Sequence, residues 1–176
     1  MICNKLIDKS HLFEKNNEYI VDTNVLISLY GNKKYNQQID KNEKLKMATQ
    51  YYNRAIDQKC TVYVPAVVIS EFVNLFFKEC WNELKISNPQ KYKCKKRDYR
   101  NTKKYEQDCK YIKEVIEDQI FKVLKPISDS FDDLSLDQMF KLDEDDFNDR
   151  LLMHIANKKN LYVISADVDI KKMKIK

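Results

Sequence analysis

The sequence predicts an α/β protein, a three-layer α/β/α sandwich around a central parallel sheet that carries a helical, basic insertion. Three short apolar runs predict the strands: Tyr19 to Val21, Thr61 to Val64 and Leu161 to Ile164. Each is β-branched or aromatic and none alternates with polar residues, as expected of strands covered on both faces. The segments between them repeat apolar residues at helical spacing, and strands separated by helices make a layered α/β fold. One glycine and three prolines in 176 residues exclude hairpin-dense and collagen-like designs. They also leave no material for a P-loop or a dinucleotide fingerprint.

The elements follow in order. Asn42 to Asp57 sets Leu45, Ala48, Tyr52, Ala55 and Ile56 on one helical face. Ala66 to Leu84 does the same with Val68, Phe72, Leu75, Phe76 and Trp81. The polar stretch from Ser87 to Thr102 reads as a loop or the tip of a helical hairpin. A long helix is expected from Lys103 to Leu124, its apolar side made by Ile112, Val115, Ile116, Ile120 and Val123, with Pro126 ending it. The last helix spans Asp145 to Lys159, with Phe147, Leu151, Leu152 and Ile155 inward, and the tail after Asp169 allows one short edge strand. Residues 1–176 thus read as one domain, with the insertion at about 82–124. That length is enough for a proper core.

Charge is segregated. The net charge is +5, but Lys78 to Lys113 holds twelve Lys or Arg against five acids, and Ser128 to Asp149 holds nine acids against one Lys. A basic segment suits nucleic acid and equally suits a solvated helical hairpin. The five cysteines fall at irregular spacing with no CxxC pair, and there are two histidines. Neither a disulfide framework nor a Cys/His zinc site is expected. No segment approaches a membrane span and the N-terminus lacks a signal-peptide run, so the reducing cytoplasm is the expected location.

The chemistry sits where the strands end. The first strand runs into Asp22-Thr23-Asn24, and the helix after the second carries Glu71 near its start. The last strand runs into Ser165-Ala166-Asp167, with Asp169 behind it. In a parallel sheet these ends share the carboxyl edge, where ligands bind. Asp149 opens the helix that feeds the last strand, so it reaches the same edge, with Asp146 one turn earlier. Crowded carboxylates raise one another's pKa and oppose folding unless a cation offsets them. Oxygen-only ligands favour Mg²⁺ or Mn²⁺ over zinc, and such a centre supports metal-assisted phosphodiester hydrolysis. Each acid taken singly has a plainer reading: Asp22, or Thr23 beside it, as a helix N-cap, Glu71 as a solvated helix residue, Asp143 to Asp146 as a helix start suited to the macrodipole. Convergence of all four on one edge is what favours chemistry.

These residues also resemble a known family. Val21-Asp22-Thr23-Asn24-Val25-Leu26 looks like the opening motif of PIN-domain nucleases, and Pro65 to Phe72, with Glu71, resembles their second. Asp149 to Ala156 resembles the third, and Leu161 to Asp169, a strand ending in Ser-x-Asp, the fourth. The resemblance spans about residues 19–170 and implies a VapC-like ribonuclease dependent on Mg²⁺ or Mn²⁺. It makes Asp22, Glu71, Asp149 and Asp167 the catalytic metal ligands, supported by Asn24, Asp146, Ser165 and Asp169. Many such relatives are toxins of toxin–antitoxin pairs, often dimeric, so a small antitoxin protein and a homodimer are candidate partners beside RNA. The stretch from Asn82 to Leu124 is longer than a minimal toxin needs. It offers Lys95, Lys96, Arg97 and Arg100 to RNA phosphates, with Tyr92, Tyr99 and Tyr105 either stacking on bases or packing the insertion.

Water as nucleophile would leave a 5′-phosphate and a 3′-hydroxyl. The alternatives are a non-catalytic RNA- or protein-binding module on the same fold, and a structure-specific DNA nuclease. A haloacid-type phosphatase is disfavoured, because Asn24 stands where its second Asp belongs.

Overall fold

The computed structural model describes residues 7, 11–31, 42–92, 95–128, 134, 139 and 146–167. Within them four strands form one parallel sheet: β1 (Glu18–Val21), β2 (Thr61–Pro65), β3 (Lys125–Ile127) and β4 (Tyr162–Ile164), in the order β3-β2-β1-β4. Helices flank it: α1 (Thr23–Tyr30), α2 (Glu43–Asp57), α3 (Ala66–Ser87), α4 (Lys95–Arg100), α5 (Lys103–Glu114), α6 (Phe121–Val123) and α7 (Phe147–Lys158). The architecture is α/β, as the sequence predicts.

Central β1 explains the absence of alternation. Tyr19, Ile20 and Val21 are all fully buried, and successive strand residues face opposite sides, so both faces of β1 are covered. Chain order gives the sheet its functional geometry. The chain moves outward from β1 to β2 and β3, then crosses back to lay β4 on the other side of β1. That reversal makes a switch point between the carboxyl ends of β1 and β4, where α/β sheets open a ligand crevice.

Two tight helix-to-strand connections lack the usual glycine. Lys59 and Asn160 take positive φ, 56° and 57°, just before β2 and β4. In each, the following amide reaches back to the helix: Cys60 N–H to Ala55 O at 2.9 Å and Leu161 N–H to Ala156 O at 2.8 Å. These are the bonds of a left-handed helix stop. Asparagine tolerates that conformation; for lysine it is strained.

Three expectations need correction. First, β3 was unforeseen: Pro126 does not merely end a helix but sits within a strand paired to β2 through Tyr63–Lys125, Val64–Pro126 and Pro65–Ile127. An edge strand accepts proline because its outer N–H has no ladder to join. Second, the long helix is not uniform. After α5 a π-helical turn spans Val115–Ile120 before α6. The wider turn rephases the buried face, so Val115, Ile120 and Leu124 are buried while Val123 is 43% exposed. Third, the polar stretch from Ser87 to Thr102 contains helix α4, and α3 runs on to Ser87. The helix α1 directly after β1 is a further element that no apolar rhythm had marked. The tail beyond Asp169 lies outside the described residues.

Candidate active site

The pairing of β1 with β4 builds the first half of the site. Val21 is in register with Ile164, and the Asp22 amide donates to the Ile164 carbonyl at 3.0 Å. The next residues, Asp22 and Ser165, therefore leave the sheet side by side. The Ser165 hydroxyl donates to Asp22 Oδ2 at 2.6 Å and accepts from the Asp167 amide at 2.9 Å. One hydroxyl thus fixes the Asp22 carboxylate and the backbone turn that presents Asp167. Asn24 adds a longer bond to the same oxygen, 3.3 Å.

Asp22 occupies the N-cap position of α1 but makes no side-chain cap bond. The cap reading of this residue, the plainest one open to it, is set aside by that geometry. Its carboxylate is turned to Ser165 and Asn24 instead.

The second half comes from α3 and α7. Glu71, in the second turn of α3, accepts the buried Thr23 hydroxyl at 2.9 Å, so the residue after Asp22 anchors the next acid. Sequence reasoning passed over Thr23 except as a cap; the signal available was its place beside Asp22 in the first motif. On α7, Asp146 is the N-cap and accepts the Asn148 amide at 3.0 Å. This is a structural task, and it leaves Asp146 at the rim. Asp149, half-buried, follows in the first helical turn.

Electrostatics ties the acids together. Burial pushes the Asp22 carboxyl up from 3.8 to about 6, against the opposing pull of Ser165 and the Thr23 amide, and the Glu71 charge adds to the rise. Asp149 is lifted further, to about 7, first by burial and then by the charges of Asp22, Asp167, Asp146 and Glu71. Carboxylates from α1's cap position, α3, α7 and the segment after β4 thus feel one another at the switch point. Asp169 lies outside the described residues.

The acids offer oxygen ligands only, and the Thr23 and Ser165 hydroxyls and the Asn24 amide hold them in place. Such a set matches a hard divalent cation, and an added positive charge offsets the cost that burial and mutual repulsion impose on Asp22 and Asp149. Among the described residues no three His, Cys, Asp or Glu side chains stand as a ready-made metal cage. Comparison with known proteins finds no family model, no curated protein and no solved structure that matches this chain.

The basic insertion divides. Arg97 and Arg100 are exposed, as a phosphate contact requires. Lys95 and Lys96 open α4, and their side chains lie outside the described set. Tyr99 is buried, with its hydroxyl donating to buried Asp108 at 2.6 Å, and Asp108 also accepts from Lys104. Tyr92 and Tyr105 are half-buried, Tyr92 with the Lys91 ammonium over its ring at 5.4 Å. Among the described residues no helix is long and apolar enough to cross a membrane.

Proposed function

We propose that this chain is a divalent-metal-dependent endoribonuclease of PIN-like, three-layer architecture, with Mg²⁺ or Mn²⁺ held by Asp22, Glu71, Asp149 and Asp167. One observation supports the reading: at the switch point of a parallel sheet Asp149 is lifted first by burial and then by the charges of carboxylates from separate elements, Asp22, Asp167, Asp146 and Glu71. A bound divalent ion there would supply an acidified water and charge stabilisation at a phosphate. The chain's own residues do the rest. Ser165 and Asn24 orient Asp22, Thr23 orients Glu71, and Asp146 fixes the start of the helix that presents Asp149. No histidine base is needed, which suits a chain with two histidines. Exposed Arg97 and Arg100 supply positive charge for the RNA backbone. A small antitoxin protein and a homodimer follow as candidate partners from the resemblance alone, and the insertion, longer than a minimal toxin needs, speaks against a plain toxin.

The test is cleavage of a labelled mixed RNA pool in Mn²⁺ and in Mg²⁺, beside Asp149→Asn and excess EDTA. Cleavage abolished in both controls, with 5′-phosphate and 3′-hydroxyl ends, is the expected result. Ends bearing a 2′,3′-cyclic phosphate overturn the water-attack mechanism. A folded chain that binds RNA but neither binds Mn²⁺ nor cleaves is a non-catalytic binding module.

A further inference from the structure

A cavity of about 460 Å³ lies between α3 and the insertion, lined by Asn74, Phe77, Lys78, Trp81, Tyr99, Arg100 and Tyr105. Its size falls within the roughly 300–1,000 Å³ of ordinary ligand pockets. Four aromatic rings form much of its wall. Phe77 lies 5.2 Å from Tyr105 and 6.3 Å from Tyr99, Tyr99 lies 5.1 Å from Tyr105, and Trp81 lies 6.3 Å from Tyr99. These rings pack on one another, yet Phe77 and Tyr105 stay half-buried beside open space, so their surfaces are not used up. Lys78 and Arg100 are exposed cations of the lining, and exposed Asn74 brings an amide with both donor and acceptor. The buried indole N–H of Trp81 finds no acceptor among the described residues.

Position connects this cavity to the acids. Asn74, Lys78 and Trp81 stand three, seven and ten residues after Glu71 on α3, along one stripe of the helix. At about 1.5 Å per residue, Lys78 and Trp81 lie about 10 and 15 Å along the axis from Glu71. Stacked bases rise about 3.4 Å apiece, so that distance corresponds to a few nucleotides of a single strand.

We infer that the cavity walled by Phe77, Trp81, Tyr99 and Tyr105 is a nucleobase pocket. It takes an unpaired base of the RNA whose scissile phosphate lies at the acidic edge, with Lys78 and Arg100 on the flanking phosphates. Flat aromatic walls beside cations are how single-stranded RNA is held, by stacking on the base and charge on the backbone. Exposed Asn74 supplies an edge contact that favours some bases over others. The inference deepens the endoribonuclease reading and rests on it for the choice of RNA as occupant.

Trp81 is the sole tryptophan, so its emission reports on the pocket directly. The full chain is titrated in EDTA with short homopolymeric RNAs and, separately, with heparin as a polyanion without bases; cleavage in Mn²⁺ is measured in parallel. A saturable emission change with RNA and none with heparin is expected. Tyr105→Leu, which keeps apolar bulk but removes the flat ring, is expected to weaken RNA binding about tenfold. Lys78→Glu with Arg100→Glu, both at exposed positions, is expected to weaken it at least as much, and it decides the matter if Tyr105→Leu fails to fold. Cleavage without any emission change, or unaltered binding by the double variant, overturns the pocket and leaves the nuclease reading standing. An equal response to heparin also overturns it. Emission change and variant sensitivity with neither Mn²⁺ binding nor cleavage uphold the pocket and retire the nuclease.

Discussion

Replacing Asp22 by Asn should make the metal-free protein more stable while destroying its function. The Asp22 carboxyl is 4% exposed, and its shift from 3.8 to about 6 corresponds to about 3 kcal/mol against the ionised form in the fold. A group whose folded pKa is raised contributes its full stability below the unfolded value and loses it as pH rises through the folded one. For Asp22 that loss is complete above about 6, and Asp149 continues it through about 7. In EDTA the wild type should therefore become less stable between about pH 4 and about pH 7.

Asparagine keeps an oxygen to accept from Ser165 and carries no charge, although its amide hydrogens gain no assured partner. The expected net gain is about 1–3 kcal/mol near pH 8, or roughly 2–10 °C in Tm for a domain of this size. Below about pH 4, under the unfolded value, the gap between variant and wild type should close. Saturating Mn²⁺ should reverse the order, raising the wild type by about 3 kcal/mol at a hundredfold excess over Kd and the variant far less. Urea and thermal unfolding at both pH values, with and without Mn²⁺, read all of this. A variant no more stable than wild type near pH 8, with a gap independent of pH, would refute the claim that the acids are held against their own charge.

Four further outcomes are expected. Ser165→Ala should fold but bind Mn²⁺ about 10- to 100-fold more weakly by calorimetry, because the hydroxyl that orients Asp22 and the Asp167 turn is gone. Tyr99→Phe should cost about 2 kcal/mol in urea unfolding, since it removes a buried bond to the Asp108 carboxylate. Lys59→Gly should stabilise by about 1 kcal/mol, the strained φ of 56° being free to glycine. Reversing the charges of Lys95, Lys96 and Arg97 together should weaken RNA binding and flatten its dependence on salt; unchanged salt dependence would assign α4 to folding or to a protein partner.

The central strands were legible because burial on both faces leaves no choice of residue. Tyr19-Ile20-Val21 is fully buried, its one polar group, the Tyr19 hydroxyl, paired with His11, and the buried end of β4 at Val163-Ile164 is wholly apolar. Strand β3 was illegible for the converse reason: Lys125-Pro126-Ile127 is short and largely exposed, its pairing is backbone alone, and proline argues against a strand everywhere but at an edge. The π turn was hidden because apolar residues stand at both the α and the rephased positions, Ile116 and Val123 beside Ile120 and Leu124. Only packing selects between them. The acids themselves could be read from their places after strands and at a helix start. Their supports could not all be read, since the bond from Thr23 to Glu71 spans 48 residues and depends on how α3 meets α1. The aromatic cavity was out of reach as well. Tyr99 and Tyr105 come from the insertion while Phe77 and Trp81 come from α3, and no spacing along the chain announces that they meet.

The site is therefore set by sheet register more than by its loops. Ser165 reaches Asp22 because Val21 pairs with Ile164, and that pairing is enforced by residues buried on both sides. A slip of one residue would exchange the faces of β4, sending Val163 and Ile164 each into the other's place and carrying the Ser165 hydroxyl away from the carboxylate. Thr23 works in the same way from α1, which begins one residue after Asp22 and so delivers its hydroxyl to α3 at a fixed height. Acids that repel one another cannot hold their own positions. Here the neutral hydroxyls and the hydrophobic sheet hold them, which is why the charged edge coexists with an ordered core and why its repulsion remains available to be offset by a cation.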